Sequence, residues 1–333
     1  MRPMETAVHA MRVDLHVHTR HSRLQSLPVL RARDCYSEPL EAYHRAKVRG
    51  MDLVTFTDHD TIDGCLELLG AEGTLLDFFI SEEVSTRDPK TGCAFHVSAF
   101  GIDERQHREI RRVRENVRDL AAYLSREEIP ASLNHVGSSL VRRPALEPLL
   151  EVVGSFPLIE TRNGAQLPAS NAVAELLAQK CEGKDSRMGR TGGSDAHTTR
   201  RIGWTWTRAN AHDRESFLTA LRMGAVRSEG ISAGFLPMVR DVYQVVAEYY
   251  GDLLRNTHGH FTREERQRSA ACALLSLPLH LVALPATGTL YRQIRVHGSA
   301  RGMKRELARS AAEAQQAASP ETEEAVTISA GAI

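Results

Sequence analysis

MDLVTFTDHDTIDG, residues 51–64, is the stretch on which the reading of the fold turns. Leu53, Val54 and Phe56 give its first half the composition of a buried strand. The strand over 51–57 then runs straight into Asp58, His59 and Asp60. Charge and imidazole serve a core badly at that point, whereas a metal ligand held at a strand tip needs them there. The competing reading is a solvent-exposed turn in which the aspartates cap backbone amides.

The segments on either side repeat the pattern. RVDLHVH, 12–18, alternates, so Val13, Leu15 and Val17 share one face and Asp14, His16 and His18 the other. A helix over 38–49 opens at Glu38-Pro39 and closes at Arg49-Gly50. Strands are predicted over 76–85 (LDFFISEEVS) and 93–101 (CAFHVSAFG), separated by the turn DPKTG. The span 103–128 reads as one long amphipathic helix, with Ile110, Val113, Val117, Leu120 and Leu124 along one side. A short strand (131–136), a helix (144–153), a strand (156–164) and a helix (170–181) follow. GRTGGSDAH, 189–197, is a strand end and loop, and a helix over 215–224 is closed by Gly224.

Strands alternating with helices indicate an α/β domain. In a barrel, side chains at the C-terminal strand ends converge on one face. That would gather His16, His59, Glu83, His96, His135 and Asp195 in one cleft. An open doubly wound sheet collects residues at one switch point and gathers six strand ends less easily. Beyond Gly230 the pattern turns helical, over 238–255, 261–277 and 301–318, and the end SPETEEAVTISAGAI has the composition of a disordered tail. The expected organisation is therefore an α/β domain over 12–230, a helical region over 231–305 packed against it, and a helical-to-disordered tail over 306–333.

Forty-two basic and 42 acidic residues cancel, so bulk charge gives nucleic-acid binding no support. The cysteines, at 35, 65, 93, 181 and 272, form no C-x-x-C pair and fit a reducing compartment. The N-terminus lacks the apolar stretch of a secretory signal. The longest apolar run, 271–286, contains His280 and two prolines and is short for a membrane span. A cytoplasmic protein without membrane contact is the expectation.

The chemistry lies in the polar strand ends. His16 and His18, two apart on a strand, present both imidazoles on one face, and neutral imidazole suits zinc, manganese or iron. Asp14 could orient one of them. Of Glu82 and Glu83 one must point away from the other; Glu83 is taken as the ligand, although parity alone does not settle it. His96, between Phe95 and Val97, faces opposite to both, and a core histidine bonded to backbone is its competitor. His135 ends a short strand. In Gly192-Gly193-Ser194-Asp195-Ala196-His197 the glycines allow backbone to approach a centre closely, and Asp195 and His197 share a face if extended. These histidines and carboxylates exceed one four-ligand site. At least two metal ions bridged by a carboxylate are implied, an arrangement suited to phosphate-ester hydrolysis. Arg20, Arg23, Arg162 and Lys184 are candidate phosphate contacts.

The ordered set DLHVHT, VTFTDHDTIDG, SEEVS, FHVSAFG, NHV and GGSDAH resembles the polymerase-and-histidinol-phosphatase (PHP) domain family from about Arg12 to Gly230. The resemblance implies a distorted (β/α)7 TIM-like barrel holding two or three zinc, manganese or iron ions. It implies that His16, His18 and Asp195 bind a first ion, and that Glu83 bridges to a second completed by His96 and His135. His59 and His197 would hold a third. The family places Asp or His just after the first motif, where this chain has Ser22-Arg23, and arginine cannot ligate a cation. Two tightly held ions and a weak or empty third position are therefore expected, with His21 or Asp34 as substitute ligands. Arg23 would instead meet a substrate phosphate. The expected activity is hydrolysis of a small phosphate ester by a metal-bridging hydroxide. His59, His197 and Asp195 are the candidates for proton transfer. A nuclease acting on nucleic-acid ends and a non-catalytic metal-stabilised module are the alternatives.

Overall fold

The computed structural model describes residues 10–22, 25–27, 32–140, 144–183, 188–256, 262–278 and 284–317. Arg23, Lys184 and the expected tail over 319–333 lie outside the described residues. In chain order the elements begin with β1 (Ala10–Val13), β2 (Gln25–Leu27), β3 (Ala32–Arg33), α1 (Pro39–Val48), α2 (Asp63–Glu72), β4 (Ser81–Arg87) and β5 (Ala94–Phe100). They continue with α3 (Glu104–Val113), α4 (Val117–Arg126), β6 (Ala131–Asn134), α5 (Val136–Ser139), α6 (Leu146–Gly154), β7 (Leu158–Asn163) and α7 (Pro168–Cys181). Then come β8 (Gly189–Gly193), β9 (Thr205–Asn210), α8 (Arg214–Arg222), β10 (Val226–Gly230), α9 (Phe235–Arg255), α10 (Arg263–Pro278) and α11 (Leu284–Ala317).

The fold is α/β, built on a mixed five-stranded sheet in the order β4-β5-β6-β7-β8. β5 runs antiparallel to both β4 and β6, while β6, β7 and β8 are parallel. The antiparallel β5 is the main departure from a strictly parallel barrel, and it follows from the tight DPKTG connection, too short for a crossover helix. A second sheet, β1-β9-β10, is antiparallel. Between the sheets run segments without regular ladders. The strand read over 51–57 is one of them: Val54 bridges Phe78, Thr57 N–H donates to Val17 O (2.8 Å) and Glu83 N–H donates to Asp58 O (3.1 Å). The strand read over 12–18 is regular only as far as Val13, then bridges Ala196 at Val17. These links give a distorted TIM-like arrangement with the polar strand ends on its inner side.

Local sequence accounts for the other differences. The helix expected over 103–128 is two helices, because Asn116 accepts a hydrogen bond from Arg118 N–H and caps α4 afresh. Asp103 and Gln106 close a capping box at the start of α3. β9 escaped the sequence reading because its buried side is Thr205, Thr207 and Ala209, too small and polar to register as a strand core. α2 starts inside the motif read as a turn, and α11 begins well upstream of 301.

Apolar packing surrounds a polar centre. One core lies between the sheet and α3, α4, α6 and α7, and Ala300, Met303 and Leu307 of α11 belong to it, so the C-terminal helices are joined to the sheet domain. Among the described residues no helix is long and apolar enough to cross a membrane.

Candidate metal centre

Both faces of the 13–18 segment are buried: Val13, Leu15 and Val17 enter the core, while Asp14, His16 and His18 face inward. Next to it, β8 comes so close that a Cβ on Gly193 would lie 2.3 Å from His16 Cβ and 2.6 Å from His16 N. Gly193 therefore carries Asp195 up to the two histidines. Asp195 and His135 adopt left-handed backbone, φ 50° and 27°, which non-glycine residues rarely hold without support.

Glu83 is the hub. Its Oε2 lies 3.2 Å from His16 Nε2, 3.5 Å from His18 Nε2 and 3.2 Å from His59 Nδ1. Its Oε1 lies 3.3 Å from His96 Nδ1 and 3.1 Å from His135 Nε2. Opposite it, Asp195 Oδ1 is 3.6 Å from His16 Nε2 and 3.4 Å from His18 Nε2. The structure resolves the choice left open by parity: Glu82 turns away and pairs with His107 at 2.9 Å. Four overlapping groups result: His16, His18 and Asp195; His16, Glu83 and His135; His59, Glu83 and His96; and His18, Asp34, His59 and His197.

These donors fit divalent cations. Ligands about 2.1 Å from one ion in a tetrahedral array stand roughly 3.4 Å from each other, as the pairs around Glu83 and Asp195 do. His16 Nε2, His18 Nε2, His59 Nδ1, His96 Nδ1, Glu83 Oε2 and Asp34 Oδ1 are buried without a hydrogen-bond partner. Buried polar atoms seldom go unpaired, and the five from His16, His18, His59, His96 and Glu83 that converge on one centre are explained by cations. The cluster thus forms one or two closely spaced metal-binding sites.

Asp34 answers the question left by Ser22-Arg23. Its Oδ2 lies 3.6 Å from His197 Nε2 and 3.8 Å from His59 Nε2, so a carboxylate does stand at the position thought to lack one. His21 is not the substitute, since its Nε2 pairs with Glu67 at 2.7 Å. Arg20 is held by Glu38 and Glu67, and Arg162 donates through Nη1 to Gly230 O.

Two supporting residues were missed in the sequence. Glu160 accepts from His16 Nδ1 (2.9 Å) and from His135 N–H (2.9 Å), leaving His16 Nε2 as the ligating nitrogen. Asn163 donates to Glu160 (2.8 Å) and to Asp195 (3.1 Å). A register shift between Glu160 and Arg162 turns both side chains inward, which strict alternation along IETRN would forbid. The only sequence signal is a carboxylate within an otherwise buried strand. Asp14, proposed to orient a ligand, accepts from His16 N–H (3.3 Å) and from Ser194 N–H and Gly203 N–H (2.8 Å each), bracing both the His16 backbone and the loop that carries Asp195 and His197.

Without cations the centre is an imidazole–carboxylate ion cluster. Burial works against the charged ring of His197, but a hydrogen bond to Asp34 and the Asp195 charge outweigh it and lift its pKa to about 9. Burial likewise opposes the charge on His16, and Glu83, Glu160 and Asp195 overcome it, holding its pKa well above the ordinary value. A raised histidine stabilises the fold fully below pH 6.5, and that contribution is lost as pH rises through the folded-state value. Metal-free protein should therefore lose stability to urea between pH 6.5 and about 9. Protein loaded with zinc, whose ligands are already deprotonated, should not. Metal-free stability that stays level or climbs over that interval would contradict this charge assignment.

Residues 186–226, from just before β8 to the start of β10, match the family model described as PHP-associated. The uncharacterized protein MJ1587 of Methanocaldococcus jannaschii is 29% identical over 91 residues, covering 22% of this chain and 53% of that protein. The match thus spans about half the length of that relative. PsfC from Pseudomonas syringae superimposes with a TM-score of 0.48 at 16% identity, covering 73% of this chain and 98% of that one. An amidohydrolase from Chromobacterium violaceum, with bound sulfate and no metal, gives 0.43 at 17% identity, covering 57% and 89%. The matched segment contains Asp195 and His197, and the other motifs meet them in the same cluster, so the chain resembles PHP proteins both in that segment and in its set of metal-ligand residues.

Proposed function

We propose that the protein is a metal-dependent phosphoesterase that hydrolyses a small phosphate ester, such as a phosphomonoester or nucleotide. The observation that carries this reading is Glu83, whose two oxygens face two different sets of imidazoles. A bridging carboxylate with imidazoles on both sides fits a pair of ions a few ångströms apart. In this reading the sheet and its linking segments form a seven-stranded (β/α) barrel over 12–230. His16, His18 and Asp195 hold one ion, and His96 and His135 hold the next, with Glu83 shared. Asp34, His59 and His197 offer a third, weaker position, since His18 beside them is already engaged.

When bound, such ions supply a water activated at neutral pH and positive charge for the non-bridging phosphate oxygens. The chain's own part is to place them. Glu160 fixes His16, Asn163 steadies Asp195, and Asp14 braces the loop between Asp195 and Gly203. With the third position empty, His197 is the ring that hands a proton to the leaving group. Its side chain is 29% exposed against 0% for His18, and its Nε2 is held toward Asp34. Among the described residues Arg20 is paired with two glutamates, which favours a small substrate over a nucleic-acid end.

The test is turnover of p-nitrophenyl phosphate, nucleotides and labelled single strands, each with manganese or zinc. Release of phosphate from the small esters is expected. Processive loss of terminal nucleotides would instead make the protein a nuclease. No turnover with any metal would make it a metal-stabilised module.

A further inference from the structure

Asp34 and His197 both come from connecting segments, and one helix is fastened to both. Asp241 of α9 forms ion pairs with Arg200 and Arg201, which follow closely on His197. Arg201 is buried, and its Nη1 also donates to Gly164 O (2.9 Å), so the pair is anchored to the sheet domain as well. Further along α9, Tyr249 and Leu253 form a small core with Ala273 of α10, and Ala32 and Tyr36, on either side of Asp34, pack against it. The linker into α9 is pinned too: Ala233 N–H donates to Gln166 O (3.0 Å), and Ser232 Oγ accepts from Asn171 Nδ2 (2.9 Å).

A cation held by two loop ligands must overcome the entropy of ordering both loops unless something orders them beforehand. We propose that α9 is a strap that presets Asp34 and His197 for a divalent cation, with Asp241 as its positioning residue. This rests on the metal-centre reading above and adds to it a dependence on the C-terminal helices that no ligand motif contains. The ion pairs stand mostly out of solvent, the setting in which a charge pair holds its geometry. Asp241 touches no ligand itself; it acts by stopping the 198–203 loop from carrying His197 away from Asp34.

The test is titration of full-length protein with manganese(II) alone, reading ions bound per chain and their individual affinities, beside urea unfolding of the metal-free form. In the Asp241→Asn protein the weakest ion should bind about tenfold or more weakly, as is usual when a partner behind a ligand is lost. The tighter ions should keep their affinities. Asp241→Glu should recover part of the loss, and Arg200→Gln, at the more exposed arginine, should reproduce it. Unchanged affinities in Asp241→Asn and Arg200→Gln would overturn the strap. So would an equal loss at every ion, which would mean only a general loosening of the fold. Native protein that binds no cation would overturn the metal-centre reading, and the strap with it, before any variant is made.

Discussion

Glu83→Gln is expected to lower turnover by on the order of a thousandfold or more and to remove the shared ligand of the ion pair. Glutamine keeps the shape of the side chain and can still meet Asn134 Nδ2, which lies 2.9 Å from Oε1. It cannot bridge, because its amide nitrogen is a donor with no lone pair for a cation. Oε1 and Oε2 face different histidines, so one substitution should disturb both sides of the centre at once. Ion content and turnover should fall together. Full metal content with a large loss of turnover would mean that Glu83 acts on substrate and not as a bridge. Retention of both would remove it from the centre altogether.

The second large effect is expected at a residue with no side chain. Gly193→Ala should destabilise the protein by about 3 kcal/mol, the upper range for forcing a methyl group into packed surroundings. The atoms it would meet are the Cβ, N and Cα of His16, at 2.3, 2.6 and 2.9 Å. Backbone cannot swing aside as a flexible side chain can, so β8 and the 13–18 segment must separate. Asp195 would then withdraw from His16 and His18, and metal affinity should fall with stability. Gly70→Ala is the control of opposite sign. That glycine lies within α2 with nothing inside 4 Å of an added Cβ, so alanine should stabilise by up to about 1 kcal/mol. Denaturant unfolding of the two variants side by side checks both signs. A Gly193→Ala protein as stable as the parent would show that the strands are not packed this tightly.

The inner, polar side of the fold was the more legible part of the sequence. Imidazoles and carboxylates at strand ends stand out because a core has no use for them, and the eight residues singled out on that ground lie in one cluster. What stayed hidden depended on contacts distant in sequence or on broken periodicity. Asp34 is brought to His197 by a loop whose path no local pattern gives. Glu160 and Asn163 face the same way only because of a register shift in β7. Asn116 divided a helix whose apolar stripe runs unbroken through it, since the stripe reports burial and not capping. β9 buries threonine and alanine, and small side chains leave little periodic signal. The attachment of α11 through Ala300, Met303 and Leu307 is likewise weakly marked, in a helix otherwise rich in small and charged residues.

The central claim is that the six imidazoles and their carboxylates exist to hold closely spaced cations. Elemental analysis of freshly purified protein by plasma mass spectrometry tests it most directly. Two or more equivalents of zinc, manganese or iron per chain are predicted, removable by chelation and restored by adding the metal back. Less than one equivalent per chain, unchanged after incubation with manganese(II) or zinc(II), would contradict it.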